Sequence, residues 1–215
     1  MRRSALTPIA LVVVLGLALA VPWLGSAYYL HIFALVFTNV ILAASLRPSL
    51  TCGQLNIGHS GFMCVGAYTS ALLAKHWSVP FEISLLSGAV LAALVGLAIG
   101  YPSLRLRGVY FAMVTVAFVE VIRLIAAIWV PLTRGNSGLS GIPKPNLLGM
   151  TLTTRTSQYY LAVALTVVTL LILWKLERSR LGLIWKSIGM ADNLAQSLGV
   201  NIAKHKLLAF ALGCF

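Results

Sequence analysis

The sequence predicts an all-α membrane protein, a polytopic bundle of transmembrane helices with six spans and the start of another. Three observations carry the bundle. Hydrophobic residues make up 60% of the chain and charged residues 9%, whereas a soluble domain carries about 25% charged residues. Apolar runs of about 20 residues, each able to cross a hydrocarbon core, recur along a chain whose mean hydropathy is +0.95. Aromatic side chains that favour the membrane interface, Trp23, Tyr28, Trp77, Tyr101, Trp129, Tyr159 and Trp174, fall near the ends of those runs.

The first run, 5–24, follows Met1-Arg2-Arg3 and ends beside Ala18-Leu19-Ala20. It is read as an uncleaved span; the alternative is a cleaved secretory signal. The second run is 28–46. The third, 57–74, is entered through Gly53-Gln54-Leu55-Asn56-Ile57-Gly58-His59-Ser60-Gly61, with Gly66 further on. So much glycine weakens a helix by about 1 kcal/mol per residue against alanine, so this helix is expected to be broken or to begin part-way across the membrane. Such backbone survives in lipid only where it is buried in protein or lines a watery cavity. Gln54, Asn56 and His59 are therefore candidates either for a pathway lining or for satisfied polar packing.

The fourth run, 81–101, holds Gly96 and Gly100 in a GxxxG, with Gly88 two turns earlier on nearly the same face. That stripe predicts close helix packing, with a neighbour the spacing does not identify. The fifth, 109–129, carries Glu120 and Arg123 on one helical face. The spacing allows a local ion pair, in the solute pathway or as a register-fixing contact, and Arg123 is near enough to the outer end to snorkel. A Gly-, Pro- and Ser-rich loop follows at 131–145, and the sixth run is 159–176.

Between that run and an apolar run beginning at Leu207 lies a basic, amphipathic segment, 179–210, too long for a turn. Asp192 is expected to N-cap a helix from Asn193 to Leu198, Gly199 to take a left-handed C-cap, and Asn201 to cap the next helix. The expected shape is a helix–Gly–helix knob suited to a soluble partner, or else an ordinary loop. The last run reaches only nine residues before Phe215, too short to span.

A net charge of +12 invites a nucleic-acid reading, but its distribution argues for topology. With the N-terminus inside, the inner segments hold Arg2, Arg3, Arg47, Arg105, Arg107, Lys175, Arg178, Arg180, Lys186, Lys204 and Lys206. The outer ones hold only Lys75, Arg134, Lys144 and Arg155, as the positive-inside rule requires. The 175–206 loop is then cytoplasmic.

No Walker A pattern occurs, so nucleotide hydrolysis would belong to a partner. No HExxH, paired intramembrane aspartates or nucleophile arrangement supports an intramembrane enzyme. Cys52, Cys64 and Cys214 show no metal-ligand spacing and are assigned to packing, and the four histidines are scattered. No cofactor, metal or catalytic residue is expected.

Several segments in order resemble one family, the permease subunits of branched-chain amino acid ABC importers. They are Gly53-Gln54-Leu55-Asn56-Ile57-Gly58-His59 with Gly66-Ala67-Tyr68-Thr69, Leu104-Arg105-Leu106-Arg107-Gly108-Val109-Tyr110, and Ala117-Phe118-Val119-Glu120-Val121-Ile122-Arg123. Asn136-Ser137-Gly138-Leu139-Ser140-Gly141, Ser179-Arg180-Leu181-Gly182 and Ser197-Leu198-Gly199-Val200-Asn201 continue the order. The resemblance covers residues from about 28 to the end.

It implies that residues 1–215 are a transmembrane permease domain, incomplete at its C-terminus, in a bacterial inner membrane. It also implies that 175–206 is the cytoplasmic EAA-type coupling loop. Gly199 would be its central glycine, with Asp192, Leu194, Ala195 and Leu198 in the helix that seats on an ABC ATPase subunit. The implied partners are two ATPase subunits that use the ATP, a related second permease and an extracytoplasmic solute-binding protein. The sequence departs from the family in lacking an acidic run before the coupling helix, where Ser187-Ile188-Gly189-Met190-Ala191 stands. The alternatives are a proton-coupled secondary transporter with Glu120 as proton site, or a truncated permease without function.

Overall fold

In lipid an apolar run can satisfy its backbone only within itself, as a helix, and the chain answers with helices almost throughout. The computed structural model describes residues 22, 27–103, 106, 108–147 and 150–215. The predicted first span, apart from residue 22, lies outside the described residues, as do Arg105 and Arg107. In chain order come α1 (Ala27–Ser45), α2 (Arg47–Thr51), α3 (His59–His76), α4 (Phe81–Ser103), α5 (Val109–Ile128) and α6 (Val130–Thr133). After α6 a small antiparallel hairpin, β1 (Asn146–Leu147) with β2 (Met150–Thr151), interrupts an otherwise helical chain. It is followed by α7 (Arg155–Arg178), α8 (Arg180–Met190), α9 (Asp192–Ser197) and α10 (Ile202–Cys214).

Among the described residues, four stretches are long and apolar enough to cross a membrane: Ala27–Thr51, Phe81–Ser103, Val109–Ile128 and Arg155–Arg178. The predicted third span is a helix too, α3, but it begins at a histidine and ends in Lys75-His76, and it is not one of the four. The aromatic ends mostly face outward, with Tyr28, Trp77, Tyr101, Trp129 and Trp174 exposed. Tyr159 is a correction: its ring is buried against Phe37 of α1 rather than set at the interface. Its position at a helix end says nothing about which side of the helix it occupies.

Two packed groups build the bundle. In one, α1 and α7 run side by side through Leu30, Tyr159 and Val163, with Phe33, Phe37 and Val167 against them. In the other, α3, α4, α5 and α10 meet on Phe62, Ala92, Phe111, Phe210 and Cys214. Lipid tails are as apolar as these side chains, so close contact rather than water exclusion holds such helices together.

The glycine stripe of α4 makes that contact possible, and the neighbours lie in the same chain. A Cβ on Gly88 would sit 2.6 Å from the carbonyl oxygen of Gly66 in α3. One on Gly96 would meet Cys214 Sγ at 2.8 Å, and one on Gly100 would meet Phe210 Cδ1 at 2.9 Å, both in α10. The N-terminal half of the stripe therefore seats α3 and the C-terminal half seats α10. Cys214 and Cys52 are buried packing residues.

Polar contacts sort to the two ends. At one, Arg47 forms a two-point ion pair with Glu177, Nη2 to Oε2 and Nε to Oε1 both at 2.9 Å, beside the Lys206–Asp192 pair. At the other, Lys75 Nζ donates to the carbonyl of Ser140 at 2.8 Å and Arg134 to its hydroxyl at 2.9 Å. The loop between α5 and the hairpin turns as its glycines predict. Gly135, Gly138 and Gly141 all have positive φ, and Gly135 lies so close to the Ala127 carbonyl that a Cβ would sit 2.8 Å from it.

Candidate functional site

The knob at 179–210 is built almost entirely of helix. Helix α8 was not legible as a helix in the sequence, although Leu181, Trp185 and Ile188 recur at helical spacing. Trp185 and Ile188 are fully buried, Trp185 against Cys52 and Ala209. Gly182 and Gly189, which read as loop residues, are instead packing positions. Gly182 abuts the Glu177 carbonyl and Gly189 abuts the Thr51 carbonyl, leaving no room for a Cβ. The knob thus rests by backbone contact on α2, immediately before the break that opens α3.

The α9 turn closes as the sequence predicts at its C-terminus. Gly199 has φ of +81°, its N–H donates to Gln196 O at 2.9 Å, and Val200 N–H reaches back to Ala195 O at 3.2 Å. That pair of bonds is the Schellman closure, which satisfies two carbonyls of the last turn. Asn201 caps α10, its side chain accepting from Lys204 N–H at 3.1 Å.

The other end is a correction. Asp192 is the first residue of α9, not its cap. The cap position is Ala191, without a side-chain bond, and the Asp192 carboxylate accepts instead from Lys206 Nζ at 2.7 Å. A cation fourteen residues along the chain outbids the local N–H groups, because a charged pair in a half-buried place is stronger than a neutral cap bond.

These constraints divide the knob into two faces. Ala195 is buried rather than turned outward. Leu194, Leu198 and Met190 point away from the chain, 68%, 83% and 89% exposed. Large apolar side chains exposed together mark an interaction site more often than a bare surface. A Cβ on Gly199 would meet nothing within 4 Å, so that position is also open.

The break before α3 is a closed polar network. Residues 54–57 are non-helical, and Gln54, Asn56 and His59 are all buried. Asn56 Oδ1 accepts from Gly58 N–H at 2.8 Å, which orients the amide so that Nδ2 donates to His59 Nδ1, also at 2.8 Å. His59 Nδ1 is then the acceptor, and the Nε2–H tautomer reaches Ser45 O at 3.1 Å. Ile57 N–H donates to Thr115 Oγ1 at 3.2 Å. Thr115 lies six residues into α5, or about 9 Å along it. The irregular backbone therefore lies below the end of α5, with Gln54, Asn56 and His59 turned into the protein and Leu55 and Ile57 exposed. Gln54 is buried with Oε1 unpartnered among the described residues. The structure brings Asn56 and His59 together as hydrogen-bonded partners.

Glu120 and Arg123 form the expected pair, Nε to Oε2 at 2.9 Å and Nη2 to Oε1 at 2.6 Å. The guanidinium is held along α5 by Glu120. Their side chains stay 54% and 63% exposed. Arg123 also borders a groove of about 320 Å³ between α3 and α5. Among the described residues no three His, Cys, Asp or Glu side chains are placed to hold a metal ion.

This architecture is that of a multi-pass helical membrane protein with a structured knob of short helices. A family model described as branched-chain amino acid transport system / permease component matches residues 28–215. The chain belongs to that permease family, whose members are transport components rather than enzymes. It is 32% identical over 227 residues to the high-affinity branched-chain amino acid transport system permease protein LivM of Escherichia coli (strain K12), covering 94% of this chain and 53% of that protein. It is 30% identical over 226 residues to the protein of that name from Salmonella typhimurium (strain LT2), with 94% and 53% covered. The chain thus spans about half the length of the curated relatives it matches. No solved structure matches it significantly.

Proposed function

We propose that the chain is a transmembrane permease subunit of an ATP-binding cassette importer for branched-chain or related amino acids. In this reading residues 1–215 belong to the permease domain, and the 175–206 loop is cytoplasmic and takes up the motion of an ATPase subunit. The ATP is used by those partner subunits. A related second permease completes the pathway in a bacterial inner membrane, and an extracytoplasmic solute-binding protein meets the loop at 131–158.

One observation carries the coupling role. The tip bearing Leu194, Leu198 and Gly199 is apolar and exposed, yet its backbone is fixed by the Schellman closure, the Asp192–Lys206 pair and the seat of Gly189 on α2. A rigid lever with a greasy end can transmit a push to α2 and the α3 break; a loose loop cannot. Positive charge is concentrated at the same end, which supports the cytoplasmic placement.

The test is uptake of radiolabelled leucine by the full-length chain, reconstituted with its ATPase, second permease and binding protein. Uptake should require ATP inside and survive a protonophore. Uptake that collapses with the protonophore at constant ATP would instead support a proton-coupled carrier.

A further inference from the structure

The groove between α3 and α5 has chemistry that the coupling knob leaves unexplained. Ser60, Cys64 and Tyr68 of α3, Ile122 and Arg123 of α5, and Asn136 of the outer turn all line it. Its volume, about 320 Å³, lies at the small end of the roughly 300–1,000 Å³ range of ligand sites. Glu120 and Arg123 sit eleven and fourteen residues into α5, about 17 and 21 Å along the helix, well inside a core about 30 Å thick. Charged side chains at that depth are expensive and pair with one another or face a polar interior; here they pair, each staying more than half exposed on the described chain.

Two of the five guanidinium N–H groups are engaged by Glu120, through Nε and Nη2. The Nη1 side of the fork is left free of that pair and is shaped for a carboxylate. The ion pair also makes the site neutral overall. In a low-dielectric surrounding a neutral site favours a neutral guest, because any net charge is left uncompensated. The guest that offers a carboxylate and stays neutral is a zwitterion. Ile122 supplies an aliphatic wall, while Ser60, Tyr68 and Asn136 supply polar partners.

We infer that this groove is a solute subsite for a free α-amino acid with an aliphatic side chain, whose carboxylate is taken by Arg123 while Glu120 keeps the site neutral. The inference rests on the permease reading and deepens it.

Cys64 is a built-in reporter, since it lines the groove whereas Cys52 and Cys214 are buried. The full-length chain in nanodiscs is treated with N-ethylmaleimide, and Cys64 labelling is followed by mass spectrometry. Leucine at ten times its dissociation constant should slow labelling about tenfold, and its 2-oxo acid, 4-methyl-2-oxopentanoate, should protect less. Arg123→Gln should abolish protection by leucine, Arg123→Lys should weaken it, and Glu120→Gln should reverse the preference toward the oxo acid.

Labelling of Cys52 or Cys214 identifies a misfolded variant. In that case the wild-type comparison decides, and equal protection by leucine and the oxo acid overturns the inference. Absence of protection by leucine, or protection undiminished in a folded Arg123→Gln protein, also overturns it. Shielding by phosphatidylethanolamine nanodiscs alone, lost in phosphatidylglycerol, would assign the groove to a lipid headgroup and overturn the solute reading. ATP-driven uptake without Cys64 protection would sink this subsite and leave the proposed function standing. Protection without ATP-driven uptake would do the reverse.

Discussion

Gly199 is where backbone geometry and proposed function meet, and the size of its effect can be worked out. At φ of +81° an L-residue is strained by about 1–2 kcal/mol. No clash adds to this, since a Cβ would meet nothing within 4 Å. Gly199→Ala should therefore raise local opening of the knob by about five- to thirtyfold, at 1.4 kcal/mol per factor of ten. Asparagine tolerates the left-handed region, so Gly199→Asn should stay near wild type. Hydrogen exchange reads this directly at the Gly199 and Val200 amides, whose bonds to Gln196 and Ala195 close the turn. Wild-type exchange rates in the alanine variant would refute the strained turn. Acceleration that spread along α7 would show that the residue holds the fold rather than the tip.

Gly88→Ala should lower the thermal midpoint in detergent by the equivalent of about 1–3 kcal/mol, because its Cβ would press on the Gly66 carbonyl at 2.6 Å. Asn56→Leu should cost about 1–3 kcal/mol for each group left unpaired, here Gly58 N–H and His59 Nδ1; a midpoint equal to wild type would contradict the network. Lys206→Met removes the partner of Asp192 and should speed limited proteolysis within 191–201 without moving the midpoint of the bundle.

Much of the bundle was legible because length and hydropathy decide a membrane helix. The predicted runs at 28–46, 81–101, 109–129 and 159–176 each fall within a few residues of α1, α4, α5 and α7. Gly199 and Asn201 were legible because caps are local chemistry.

What escaped depends on distant neighbours. Gly189 of α8 is hidden against the Thr51 carbonyl of α2, far away along the chain. Asp192 chooses Lys206 over its own helix, and Tyr159 turns inward because Phe37 of α1 is there. The polar entrance of α3 was ambiguous in sequence for the same reason. Whether Asn56 and His59 face water or protein depends on Thr115, Ser45 and α10, which only the fold brings near.

The coupling claim is tested most directly by cross-linking from the tip. A cysteine placed at position 198 of the full-length chain, in the assembled transporter, should form a disulfide or short bismaleimide link to the ATPase subunit. The yield should change between the nucleotide-free and ATP-trapped states. A cysteine at buried position 195 should not link. No link from 198 in either state, or an equal yield from 195, would contradict the account.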